Sequence, residues 1–177
     1  MHSPLHTLLM LPFIVSSIRS RFLKKPKKKT QKGGRPRKYI KHNLPKHYVS
    51  GLSLKDKKKQ IRSIRKSKKD YKNKRYVTRS KLKSYRNKKS NWTSQFRKLY
   101  PDAKTISDIS KQTKIPKKAL LAVKKKGMGA YYSSGSRPNQ TAESWGLARM
   151  YSYILGGPTR KIDDEITQKY KVKFIHK

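Results

Sequence analysis

Lysine and arginine carry most of the chemistry open to this chain. Of its 177 residues, 49 are Lys or Arg and 8 are Asp or Glu, a formal charge of +41. Between Arg19 and Lys89 lie 31 basic residues, opposed only by Asp56 and Asp70. If roughly six to ten of these met phosphates, counterion release would give tight, salt-sensitive, sequence-independent binding. Tyr39, Tyr48, Tyr71, Tyr76 and Tyr85 are interleaved with them and can stack on bases or face a cation. The groups that catalysis needs are not assembled in the same way. His42 and His47 sit around Pro45 with no acidic ligand nearby, a poor metal pattern. Ser133, Ser134 and Ser136 are not in a Gly-x-Ser-x-Gly elbow. Gly127-Met-Gly129 lacks the rest of a phosphate cradle. Asp163, Asp164 and Glu165 could hold a cation or pair with lysines of the same module. There is no cysteine, which removes disulfides, thiolate metal sites and thiol catalysis together. The expectation is a binding protein: no enzyme, no catalytic residue, no metal and no cofactor.

The elements that must hold these cations divide the chain. Its hydrophobic share is 33%, against about 45–50% in typical domains. So lopsided a polypeptide repels itself and takes order from counter-charge. Residues 1–22 form an apolar segment in which Leu8, Leu9, Leu11, Phe13 and Ile14 are expected partner contacts. The run is shorter than the ~20 residues of a spanning helix. Pro12 interrupts it, and its cations follow rather than precede it. It reads as a strand or helix buried against a partner, as a membrane-surface anchor with a polybasic flank, or as a signal or spanning segment. Residues 23–50 read as an extended basic arm broken by Pro26, Pro36 and Pro45.

Residues 51–90 are basic and marginally helical. Ser53 is placed to cap a helix with Asp56 behind it. Leu54, Ile61, Ile64 and Tyr71 give that helix a thin apolar stripe, so it is expected to form when docked. Residues 91–158 are the small helical module. A first helix over Asn91–Leu99 places Trp92, Phe96 and Leu99 on one side. A second over 105–114 carries Ile106 and Ile109. A third begins near Pro116, buries Leu120, Leu121 and Val123, and is expected to end at Gly127. The pair 105–126 has helix-turn-helix spacing, as many small helical domains do. Residues 127–140 read as an ordered loop. Thr141 caps a last helix through Leu155, stopped by Gly156-Gly157-Pro158. Residues 159–177 form a C-terminal tail, with an acidic knot and a strand-like Lys171–Ile175.

Two motifs go beyond composition. Gly33-Gly34-Arg35-Pro36-Arg37-Lys38 resembles an AT-hook, whose extended arginines lie in a narrow A·T minor groove. The plainer reading is a generic basic linker. The stretch GMGAYYSSGSRPNQTAESWGLAR at 127–149 resembles the hallmark of an uncharacterised domain family of nucleocytoplasmic large DNA viruses, with relatives in tailed phages. The likeness spans roughly 48–158 and includes Leu52 to Gln60, Lys66-Ser67, Tyr71-Lys72 and Arg79 to Ser90. It implies a virion component and supplies no catalytic residues. Arg137 and Arg149 flank a Gly/Ser loop at a helix N-terminus, where they would seat an anion or lock the loop to the helices.

The expected fold is mainly α: three to four short helices with long extended basic and apolar arms. The expected function is that of an internal minor capsid protein of a large DNA virus, tethering capsid subunits through its arms. The alternative is a virion DNA-binding or condensing protein that uses the Lys/Arg arm. Binding residues would be Arg35, Pro36, Arg37, Lys38, Arg137 and Arg149. Further partner contacts would be Trp92, Tyr131, Tyr132 and Trp145. The expected partners are other capsid proteins, genomic DNA, and the inner viral membrane surface through residues 1–29, with no small-molecule substrate. The expected location is the virion interior, with host cytoplasm or nucleus during assembly.

Overall fold

The structure is a computed structural model in which residues 43–176 are described. They comprise a 3₁₀ turn, Lys46–Tyr48, and helices α1 (Leu54–Lys72), α2 (Asn91–Leu99), α3 (Ile106–Thr113), α4 (Lys117–Ser134), α5 (Ala142–Ile154), α6 (Thr159–Ile162) and α7 (Asp164–Lys169). The fold is mainly α, and no strand occurs among the described residues.

Local sequence sets the helix starts. The Ser53 hydroxyl accepts from the Asp56 N–H at 3.3 Å. Thr105 and Asp108 form a reciprocal capping box, as do Thr141 and Ser144, each satisfying N–H groups that the helix itself leaves open. The principal packing is α4 on α5, with α1 against α4 and α2 against α5. Phe96, Ile109, Ile115, Leu120, Val123, Met150, Tyr151, Tyr153 and Ile154 fill the core between α2, α3, α4 and α5. Phe96 and Tyr151 stack at 4.2 Å. A second apolar cluster joins Tyr48 and Val49 to Ile61 and Ile64 of α1.

Several expectations change here. α4 does not end at Gly127. It runs on through Gly129 to Ser134 and stops at Gly135, whose φ is +98°. Gly127 is a packing residue: a Cβ there would stand 2.8 Å from the Gly146 Cα, and one on Gly146 would stand 2.7 Å from the Lys124 carbonyl oxygen. The two glycines let the α4 and α5 backbones touch. Leu54, Leu99 and Leu121 are exposed rather than buried, because the real interfaces are narrower than the apolar stripes. Tyr48 and Val49, in the stretch read as an extended arm, are buried against α1. The tail is not strand-like. It forms α6 and α7, and Val172 and Phe174 then cover the core. No neighbouring strand edge exists among the described residues to pair with 171–175; burial, the Val172 N–H donating to the Thr167 carbonyl at 3.0 Å and Arg160 lying 3.8 Å over the Phe174 ring hold it instead.

Candidate nucleic-acid interface

The outer face of α1 is a continuous band of cations. Lys55, Lys58, Arg62, Arg65, Lys69 and Lys72 recur at steps of three and four residues, flanked by Lys59 and Lys66, and all eight are exposed. At ~1.5 Å per residue the band is about 26 Å long. None of the eight forms an ion pair among the described residues. The two carboxylates of α1 are used elsewhere. Asp56 accepts from the Ser84 N–H at 3.0 Å and its hydroxyl at 2.6 Å. These bonds, the hydroxyl first, hold its carboxyl below the ordinary value. Asp70 is buried and pairs with Arg75 at 3.2 Å. Asp56 still feels Lys59 and Lys55, so the band is opposed on its own helix at its N-terminal end alone.

Behind α1 runs a non-helical strap, residues 73–90, pinned at three places. Ser84 is bound to Asp56 as above. The Asn139 side chain accepts from the Leu82 N–H at 2.7 Å and donates to the Leu82 carbonyl at 3.1 Å, taking the place of a neighbouring strand. Arg79 enters the interior. Its guanidinium lies 3.6 Å from the Tyr131 ring centroid. It donates to the Ser136 hydroxyl at 2.6 Å, the Tyr131 carbonyl at 3.1 Å and the Ser67 hydroxyl at 3.4 Å. No carboxylate pairs with it among the described residues, and burial pulls its pKa below the ordinary value. Tyr131, expected as a partner contact, is consumed by this clasp and is 1% exposed. Tyr132 is half-buried and forms a tyrosine cluster with Tyr71 and the exposed Tyr76.

The remaining expected residues converge. Trp92, Trp145, Arg137 and Arg149 line one cleft of about 380 Å³, with His47, Lys88, Asn91 and Gln140 among its other walls. Trp145 packs edge-on against Tyr48 at 6.1 Å. Trp92 is wedged over Gly157, where a Cβ would meet its ring at 2.6 Å. No carboxylate is among the residues lining the cleft. Arg137 is exposed, and its guanidinium makes no ion pair or hydrogen bond among the described residues. The His47 ring is held below its ordinary pKa by burial and then by Arg137.

Arg149 is different. Its Nε donates to Asp163 Oδ2 at 2.8 Å and its Nη2 to Oδ1 at 2.7 Å. Lys126 reaches the same carboxylate at 3.0 Å and Glu165 at 2.5 Å. Arg149 thus ties α5 to the α6–α7 junction, rather than holding the 127–141 loop. Asp163 is fully buried. Burial alone would raise its pKa, and the hydrogen bonds from Arg149 and then Lys126 outweigh it and hold the carboxyl low. A larger groove of about 830 Å³ lies between α4 and α7, but Lys126 on its wall is already neutralised by this network. Among the described residues no group of three or more His, Cys, Asp or Glu could hold a metal, and no helix is long and apolar enough to cross a membrane. Arg35, Pro36, Arg37, Lys38, Leu8, Leu9, Leu11, Phe13 and Ile14 lie outside the described residues.

Residue-type reasoning did not single out Arg79 as an interior cation, or Lys88 as a wall of the cleft. Both lie in the Arg79–Ser90 stretch that carries the family likeness, and that was their one signal in the sequence.

Fold and site together define a class: a small all-α module with a polycationic helix along one side and an aromatic cleft at the junction of the turn, strap, α2 and α5. The chain belongs to the Family of unknown function (DUF5824), which matches residues 45–170. That range takes in every described helix, from the 3₁₀ turn to α7. No curated protein and no solved structure matches the chain.

Proposed function

We propose that this protein is a non-enzymatic, architectural nucleic-acid-binding component of a large DNA virus particle, and that α1 is its docking element for duplex phosphates. The observation that carries the reading is the α1 band: eight exposed cations in register, none in an ion pair among the described residues, with Asp56 bonded to Ser84 and Asp70 paired with Arg75. Duplex DNA presents about one charge per 1.7 Å of axis, so a straight cationic face about 26 Å long meets several phosphates together without reading bases. The viral setting is supported by the likeness at 127–149. The preceding arm adds a second stretch of cations, with the AT-hook-like Arg35-Pro36-Arg37 in it.

Binding of the full chain to a 30-base-pair duplex, measured by fluorescence anisotropy across salt, tests the docking reading. Replacing Arg62, Arg65, Lys66 and Lys69 by Gln keeps good helix formers in place. Each lost phosphate contact lowers the log–log salt slope by roughly 0.9, so the four-site variant is expected to lose about 3–4 in slope. An unchanged slope would refute α1 as the docking element. The second reading, an internal minor capsid protein, rests on the apolar segment 5–18. Graded-salt extraction of purified particles separates the two. A capsid cement stays with empty shells at high salt, whereas a DNA-bound protein leaves with the genome.

A further inference from the structure

We propose that the cleft between Trp92 and Trp145 is a nucleotide-binding site, which seats a phosphate on Arg137 and Lys88 and an unstacked base against an indole. It deepens the nucleic-acid reading above: α1 would hold backbone, and the cleft would hold one splayed or terminal nucleotide.

The lining is what singles this cavity out. Its volume, about 380 Å³, lies in the range of small-ligand pockets, ~300–1,000 Å³. Both tryptophans of the chain line it. Each is packed on one side, Trp145 by Tyr48 and Trp92 by Gly157. Stacking on such a ring tolerates any base, since every base has a π face. Arg137 and Lys88 make no ion pair among the described residues. Arg149 on the inner wall is already neutralised by Asp163. The cleft thus holds two uncompensated cations, enough for one phosphate, and no carboxylate to repel it. Asn91 and the Gln140 amide N–H groups supply polar partners suited to base edges, the Gln140 oxygen already accepting from the Ser144 hydroxyl at 3.0 Å. A bare inorganic anion would leave the indoles unused. An acidic peptide would satisfy the cations but offers no flat ring. A nucleotide uses both halves of the site.

The two tryptophans also supply the test, because the indole N–H signals of the full chain report on this cleft and not on the lysine-rich surfaces. The ¹⁵N-tryptophan protein is titrated with dAMP, deoxyadenosine, inorganic phosphate, a glutamate-rich peptide, oligo-dT and a blunt duplex, in ~150 mM salt to suppress exposed-charge binding. Saturable shifts of the indole signals with dAMP and oligo-dT are expected. Deoxyadenosine should bind at least about tenfold more weakly, since it lacks the charge-assisted contacts. Arg137→Ala and Lys88→Ala alter exposed side chains and should each weaken dAMP by roughly three- to tenfold, with unchanged melting. Inorganic phosphate should compete without reproducing the dAMP shift. Equal binding of nucleoside and nucleotide, indifference to Arg137→Ala and Lys88→Ala, larger shifts from the peptide or blunt duplex, or no saturable shift would each overturn the site. The four-site α1 variant should retain the dAMP response. If it loses duplex affinity but keeps that response, the two readings stand apart. If the α1 reading fails while indole shifts persist, the cleft stands without it.

Discussion

Arg79 brings a positive charge into the interior, and what receives it there is π-density and neutral oxygen rather than a carboxylate. A planar guanidinium can lie on the Tyr131 ring and still donate sideways to Ser136 and Ser67, whereas an ammonium cannot do both. Arg79→Lys should therefore destabilise the module by roughly 2 kcal/mol despite keeping its charge, measured by urea unfolding. A variant as stable as the parent would show that charge alone suffices. Asp163 is the reverse case, an anion fully buried between Arg149 and Lys126. Asp163→Asn leaves Arg149, 19% exposed, without its counter-charge, and should cost about 3–5 kcal/mol. The pH dependence has a definite sign. A carboxyl held below its ordinary value when folded adds stability that is fully present above about pH 4 and fades as pH falls through the folded value. Thermal melting of the parent should weaken in acid, and Asp163→Asn should lose that part of the decline.

At the level of elements, the α4–α5 crossing depends on two missing side chains. Glycine inside a helix costs about 1 kcal/mol relative to alanine, so Gly→Ala would stabilise an isolated α4 or α5. In the folded module the added methyl on Gly146 meets the Lys124 carbonyl and the Met128 side chain, and overpacking of this kind costs roughly 1–3 kcal/mol. Gly146→Ala is expected to lower stability, and Gly127→Ala likewise because its Cβ would meet the Gly146 backbone. A rise in melting temperature for either would mean that the helices can separate without loss. The same crossing explains why Gly127 misleads as a terminator. A helix-ending glycine and a helix-packing glycine are the same letter, and in Gly127 to Gly135 the choice depends on whether another backbone lies opposite. Capping chemistry, by contrast, is local: Ser53 and Thr141 are legible because their partners lie three residues away, and Thr105, read as the first residue of its helix, is its cap by the same spacing.

For the whole molecule, a helix with mostly polar faces is stable here because it is shared out. Ile61 and Ile64 face the 3₁₀ turn, Gln60 donates to the carbonyls of Tyr48 and Ser136, and the strap crosses behind it. The expectation of an α1 that orders only when docked on a partner gives way to one packed within its own module. Heating the chain in low salt should therefore show one cooperative loss of helix that includes α1, and added duplex DNA should raise the midpoint by binding the folded form. Separate early melting of α1 would mean that its contacts are too weak to join the core.

The sequence by itself determined the imbalance of charge, the mainly helical class and most helix starts. All of these rest on composition or on partners within a few positions. Tertiary structure decided which cations are spent and which are free. Arg79, Arg137 and Arg149 are alike as letters, yet one is clasped by Tyr131, one stands at the cleft with no ion pair among the described residues and one is locked by Asp163. It also gathered Trp92 and Trp145 into one cleft. The reason is physical: charge is carried by a side chain alone, but its availability depends on what the folded chain brings within about 4 Å of it.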